Sequence, residues 1–199
     1  MINYTKKITK GVFIVLLLSI LSNIVAYAIR IILARNLSLE NFGLFYAIFS
    51  LITFFIFFIQ LGLGTALVKY ISVYKIKNKF DSIKTVIFST TLFSFLFATL
   101  LVLILYYLSS FIATNYFKDV NSLWPFRLFL LYFIFDILTR VSKDFFSSFH
   151  RFAYFSLVDF LKNIFVLVVI SSFFLYGINS LYVPVSAYVF QCLFVFFLL

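Results

Sequence analysis

The side chains best able to do chemistry in this sequence are charged groups set inside long apolar runs. Asp136, Arg140 and Lys143 stand at i, i+4 and i+7 in the run 123–147, which places them on one face of a helix. Asp159, Lys162 and Asn163 stand one to two turns into the run 154–176. Ser19, Asn23, Tyr27 and Arg30 recur at three- and four-residue spacing in the run 11–34. An ionised group at mid-helix costs roughly 2.5–3.5 kcal/mol on insertion scales, so such groups face a bundle interior or a wet cavity rather than lipid. The role open to this set is that of a polar lumen wall, because polar faces on several helices can converge on a hydrated cavity. Arg30, Asp136, Arg140, Asp159 and Lys162 are therefore the candidate substrate-binding residues.

Each of them also has a plainer reading. Arg30 lies about one turn from the end of its run and can snorkel to the headgroups. Asp136 with Arg140, and Asp159 with Lys162, can neutralise one another at helical spacing, or the two sets can pair across helices. A desolvated Asp136 could hold a proton or a cation where Arg140 does not compensate it. Arg127, beside Trp124, reads as an interface anchor. The remaining runs carry milder polar positions: Gln60, then Ser89, Thr90 and Thr91, then Gln191.

The elements that must position these residues are membrane-spanning helices. The chain is 65% hydrophobic and only 11% charged, with 32 Phe. A soluble domain is about a quarter charged, so the apolar excess here must face lipid. Spans need about 20 mostly apolar residues. Six are expected, at about 11–34, 42–67, 86–108, 123–147, 154–176 and 181–199. The last two are separated at 176–180, where Gly177 and Asn179 allow a tight turn. The fold class is thus an all-α membrane protein, a six-transmembrane-helix bundle treated as one domain over 1–199, because lipid offers no partner for open backbone. Lys6, Lys7 and Lys10 before the first run, with Ala26 and Ala28 after its core, resemble a signal peptide, but the apolar stretch continues through Ala34 and a retained helix is expected. One Cys and one His leave no internal disulfide and no multi-histidine metal site, and no cofactor is expected.

The net charge of +10 does not point to nucleic acid, because it is distributed as a topology signal. Lys6, Lys7 and Lys10, then Lys69, Lys75, Lys77, Lys79 and Lys84, then Arg140, Lys143 and Arg151 fall on one side; only Arg35 and Lys118 fall in the opposite loops. By the positive-inside rule both termini are cytoplasmic. The last run stops at Leu199 with no polar or basic residue to mark an interface, which leads us to expect a piece of a longer chain.

Residues 29–71 read IRIILARNLSLENFGLFYAIFSLITFFIFFIQLGLGTALVKYI. Leu33, Arg35 and Leu37, then Ser38, Glu40, Phe42 and Gly43, then Leu61, Gly62, Leu63 and Gly64 with Ala66 and Leu67 resemble the first two helices of the Wzx-type polysaccharide flippases of the MOP superfamily. A weaker resemblance covers 139–163, matching the family's basic loop between its fourth and fifth helices. The motif also has a physical reading: Ser38 is a good N-cap, Glu40 sits where the helix dipole favours an anion, and Gly62 and Gly64 allow another helix to approach.

The resemblance implies one six-helix lobe of a two-lobe transporter, here the N-terminal lobe. It implies export of a lipid-linked oligosaccharide for surface polysaccharide across the plasma membrane by alternating access, and no enzyme activity. The implied partners are the lipid-linked oligosaccharide, membrane lipids and a second six-helix lobe, from the same longer chain or a homodimer mate. Two other classes stay open. A membrane enzyme acting on lipid phosphates needs paired carboxylates or His to hold Mg²⁺, and no Asp-x-x-Asp or His cluster occurs. A non-transporting scaffold or subunit is the other, although five Gly offer few small-residue packing motifs. The orientation is directly testable: a Lys77→Cys variant in intact cells is expected to react with a thiol reagent only from the cytoplasmic side, and labelling from outside overturns it.

Overall fold

The computed structural model describes residues 2–60, 62–149 and 152–198. Leu61 of the hairpin motif, His150 and Arg151 of the basic loop, and Leu199 lie outside the described residues, as do the side chains of Lys6, Lys7, Lys10 and Gln60. The described chain is helical nearly throughout: α1 (Ile2–Asn36), α2 (Leu39–Gln60), α3 (Leu63–Ile76), α4 (Phe80–Tyr107), a single turn α5 (Ser109–Phe111), α6 (Leu123–Ser148), α7 (Phe152–Leu175) and α8 (Tyr182–Leu198). Phe, Ile and Val are mediocre helix formers in water. In hydrocarbon every backbone group must be satisfied internally, and that constraint decides the conformation.

Among the described residues five helical stretches are long and apolar enough to cross a membrane: Gly11–Asn36, Leu39–Ile76, Phe80–Tyr107, Val120–Ser148 and Ser156–Leu175; Tyr182–Val195 is a shorter apolar helix. The chain is a multi-pass, all-α membrane protein. Its outward faces are apolar, with Val12, Phe13, Leu16 and Ile20 exposed on α1 and Phe88, Leu96, Leu100 and Leu103 exposed on α4. A soluble protein would be insoluble with such faces; against acyl chains they are matched.

Local chemistry sets the helix ends. Ser38 Oγ accepts from the Asn41 N–H at 3.2 Å, so Ser38 caps α2 with Glu40 in its first turn. Between α4 and α6 the chain makes a π-helical turn, Ile112–Tyr116, then a 3-10 turn, Val120–Ser122. Asp119 caps the second, its carboxylate accepting from the Asn121 N–H at 2.8 Å. The turn after α7 closes with Gly177 at φ +79 and a bond from its N–H to the Phe174 carbonyl at 3.0 Å, a glycine helix stop.

Within the candidate span Leu39–Ile76, which contains the run expected over 42–67, the helix is interrupted. Gly62 takes φ +85, so α2 ends and α3 starts anew after it. The two helices serve different cores. Ile48, Ile52 and Ile56 of α2 pack in the main core with Phe126, Phe129, Phe133, Val166 and Val185. Leu67 and Ile71 of α3 pack in a smaller cluster with Ile83 of α4 and Val141 of α6. Gly64 lies against α6, and a Cβ there would stand 2.9 Å from Asp144 Cγ. α6 is the central element, packed by α2, α3, α4 and α8, whereas α1 rests mainly on α7.

The left-handed backbone at Gly62 gives a simple stability test. Gly62→Ala is expected to lose about 1–2 kcal/mol, seen as a lower melting temperature in detergent. Gly43→Ala, inside α2 with open space around the added Cβ, is expected to be neutral or to gain up to about 1 kcal/mol.

Candidate functional site

The site follows from where α6 and α7 carry their charges. Both helices are too apolar to leave an ion unmatched, so the charged side chains turn toward each other. Asp136, 1% exposed, lies at the centre of the set. Its Oδ2 accepts from Arg140 Nε at 2.6 Å and its Oδ1 accepts from Lys162 Nζ at 3.1 Å. One turn nearer the α6–α7 loop, Lys143 Nζ donates to both carboxylate oxygens of Asp159, at 2.5 and 2.7 Å. The Asp136–Arg140 pair expected within α6 is present and carries a third member. Asp159 and Lys162 turn to α6 instead of to each other, the cross-helix alternative of the two.

α1 is tied to this assembly by a neutral contact. Asn163 Nδ2 donates to the Ser22 carbonyl at 3.1 Å and to Ser22 Oγ at 2.9 Å. Arg30, further along α1, lies over the Tyr46 ring at 5.1 Å from its centroid, a cation–π contact that leaves its N–H groups able to bind elsewhere. Arg127 is apart from this set: it donates to Ser109 Oγ at 2.9 Å and lies against Tyr106 and Trp124. The neighbourhood of Trp124 expected for it is present, with Tyr106 and Ser109 added.

A cavity of about 490 Å³ opens between α1, α2, α6, α7 and α8, and Arg30, Asp136, Arg140, Asp159 and Lys162 all line it. Lys143 lines it as well; its i+7 spacing from Asp136 already placed it on the same face. The wall thus holds four cations, Arg30, Arg140, Lys143 and Lys162, against two carboxylates. Among the described residues the wall therefore carries a formal excess of two positive charges.

Beside Asn23, Ala26, Asn163 and Gln191 much of the remaining wall is aromatic, and of its rings helical spacing announced only Tyr27. Tyr46, Phe49, Tyr132 and Tyr188 line the cavity. Tyr188 stands 5.3 Å from Phe49 and 5.9 Å from Tyr132 between ring centroids. In a chain with 32 Phe and 13 Tyr, no local pattern distinguishes these rings from lipid-facing ones. Ser22 was equally silent, lying next to the polar stripe of α1 rather than on it. Among the described residues no group of His, Cys, Asp and Glu is placed to hold a metal ion.

With this geometry in view, the comparison with known proteins is informative. The family model described as polysaccharide biosynthesis protein matches residues 8–199. The chain belongs to this polysaccharide biosynthesis family. It is the family of the Wzx-type MOP flippases, transporters rather than enzymes as a class, so the resemblance seen at 29–71 extends over almost the whole chain. An uncharacterized membrane protein of Methanocaldococcus jannaschii is 32% identical over 117 residues, which cover 57% of this chain and 23% of that relative. The chain therefore spans well under half the length of the curated relative it matches. No solved structure matches.

The ion-pair geometry predicts a marked asymmetry between two substitutions. Asp136→Ala leaves Lys162 and Arg140 without their shared carboxylate in the bundle and is expected to cost about 3–5 kcal/mol. Adding Lys162→Met to it is expected to restore part of that loss. Detergent melting curves of the single and double variants test this; a double variant no more stable than Asp136→Ala would exclude the pairing as the cause.

Proposed function

We propose that this chain forms the N-terminal lobe of a plasma-membrane exporter that flips a lipid-linked oligosaccharide for surface polysaccharide. Both termini lie on the cytoplasmic side, and a second six-helix lobe completes the transport path. The observation that carries this reading is the cavity wall, with four cations against two carboxylates inside an apolar bundle. Membership of the polysaccharide biosynthesis family supports the same conclusion.

The chemistry is that of moving a phosphate group through oil. A lipid-linked sugar bears a pyrophosphate whose desolvation by hydrocarbon alone is prohibitive. Arg30, Arg140, Lys143 and Lys162 supply charge-assisted hydrogen bonds in place of water, with Asp136 and Asp159 keeping the empty cavity tolerable. Sugar hydroxyls meet the tyrosine-rich wall. The lipid tail remains outside, beside α1, which presents apolar residues outward along much of its length. Rocking of the two lobes about this site then alternates access.

Arg30 gives the cleanest test, because it forms no ion pair with a described carboxylate and its removal strands no buried charge. In the full-length protein expressed in its own host, Arg30→Ala is expected to lower surface polysaccharide about tenfold, the equivalent of one charge-assisted hydrogen bond. Arg30→Lys is expected to retain more than Arg30→Ala. Normal polymer from Arg30→Ala at normal expression removes Arg30 from the substrate path.

A further inference from the structure

The α8 wall of the cavity contains a polar group that the ion pairs do not use. Gln191 is 4% exposed and lines the cavity, yet its Oε1 is buried with no hydrogen-bond partner. Its side chain makes no hydrogen bond to any described residue. Buried amides are almost always paired, so an unpaired one is an exception that needs a cause. A group held at this cost in a cavity wall is explained when a ligand supplies the partner.

The type of ligand group follows from the amide. Oε1 accepts a hydrogen bond and so disfavours phosphate oxygens, which are acceptors too. It selects a donor, and Nε2 beside it donates. Two adjacent sugar hydroxyls satisfy both ends, one donating to Oε1 and the other accepting from Nε2. One helical turn away on the same wall is Tyr188, whose ring packs with Phe45, Phe49 and Phe129. A ring fixed in this way offers a flat face against which the apolar C–H side of a sugar can stack. The cations line the α1, α6 and α7 walls of the same cavity. The cavity thus offers two chemistries, one suited to phosphate and one to a neutral, hydroxylated ring.

We propose that Gln191, with Tyr188 beside it, is the specificity-determining subsite that reads the sugar next to the phosphates. This rests on the reading of the cavity as a lipid-pyrophosphate site and goes beyond it by separating recognition of the sugar from recognition of the charge. Gln191 is a binding residue for the neutral part of the substrate.

The test measures binding of two probes to the full-length protein in nanodiscs: a short-chain polyprenyl pyrophosphate, and the same lipid carrying one hexose. Wild type is expected to bind the hexosylated lipid more tightly. Gln191→Met, nearly the same in size and apolar, is expected to lose about tenfold of that preference, the worth of one or two hydrogen bonds, and to bind the bare pyrophosphate as wild type does. Gln191→Asn, which keeps the amide on a shorter stem, provides a second variant and is expected to retain more of the preference than Gln191→Met. A sugar preference unchanged in both variants overturns the assignment, because the amide is then satisfied by water or by nothing. Failure of wild type to bind either probe instead overturns the lipid-pyrophosphate reading, so the two failures are distinguishable.

Discussion

Everything in this bundle depends on how a few charges are made tolerable inside helices that lipid surrounds. Asp136 is the pivotal group. It lies on the helix that most of the others pack against, and it takes one cation from its own helix and one from α7. The Lys143–Asp159 pair repeats the cross-link one turn away. Two ion pairs therefore bridge α6 and α7 on the cavity side, and the Asn163–Ser22 contact passes the constraint on to α1. The cavity walls stand where they do because the charges on them must meet. An exposed ion pair at the α4 N-terminus, Lys84 with Asp81 at 3.8 Å, carries no such weight, since water screens it.

How much of this was legible in the sequence depends on the range of the interaction. Local rules were readable: apolar runs of spanning length, Ser38 as an N-cap, Arg127 beside Trp124, and Asp136 with Arg140 at one helical turn. Helical spacing also put Lys143 on the face of Asp136. Partner choice was not readable. Lys162 meets an aspartate 26 positions earlier, and Asn163 meets a serine 141 positions earlier. Periodicity along one helix names the face, and the packing of helices names the partner. The aromatic wall was illegible for a different reason. When nearly a quarter of the chain is aromatic, a ring facing the cavity and a ring facing lipid look alike.

The break at Gly62 illustrates a further limit. Hydropathy runs unbroken through the region, because hydrocarbon asks only that residues be apolar. It carries no record of a single backbone angle. Leu61, Gly62, Leu63 and Gly64 read equally well as a packing point, and close packing is indeed present at Gly64, against Asp144. The left-handed angle at Gly62 interrupts the helix, and α3 beyond it packs in a second core with α4 and the end of α6.

On the proposed reading, the two carboxylates serve release as much as stability. A wall of four bare cations would be expensive to bury and would hold a phosphate too tightly to let it go. With Asp136 and Asp159 present, each cation that turns to a pyrophosphate gives up part of an existing bond, so binding is an exchange of partners. The net charge of the empty wall, two positive, matches that of a doubly ionised pyrophosphate, and the loaded cavity is close to neutral. A near-neutral loaded cavity lowers the cost of holding the phosphate in the low-dielectric middle of a transport cycle. When the path opens to water, hydration competes for the phosphate while the carboxylates reclaim their lysines and arginine. Arg30 stands outside this exchange, on α1 and against Tyr46 rather than against a carboxylate. It is the one cation of the wall that can meet an anion without first leaving a described carboxylate, which makes it the natural point of first contact.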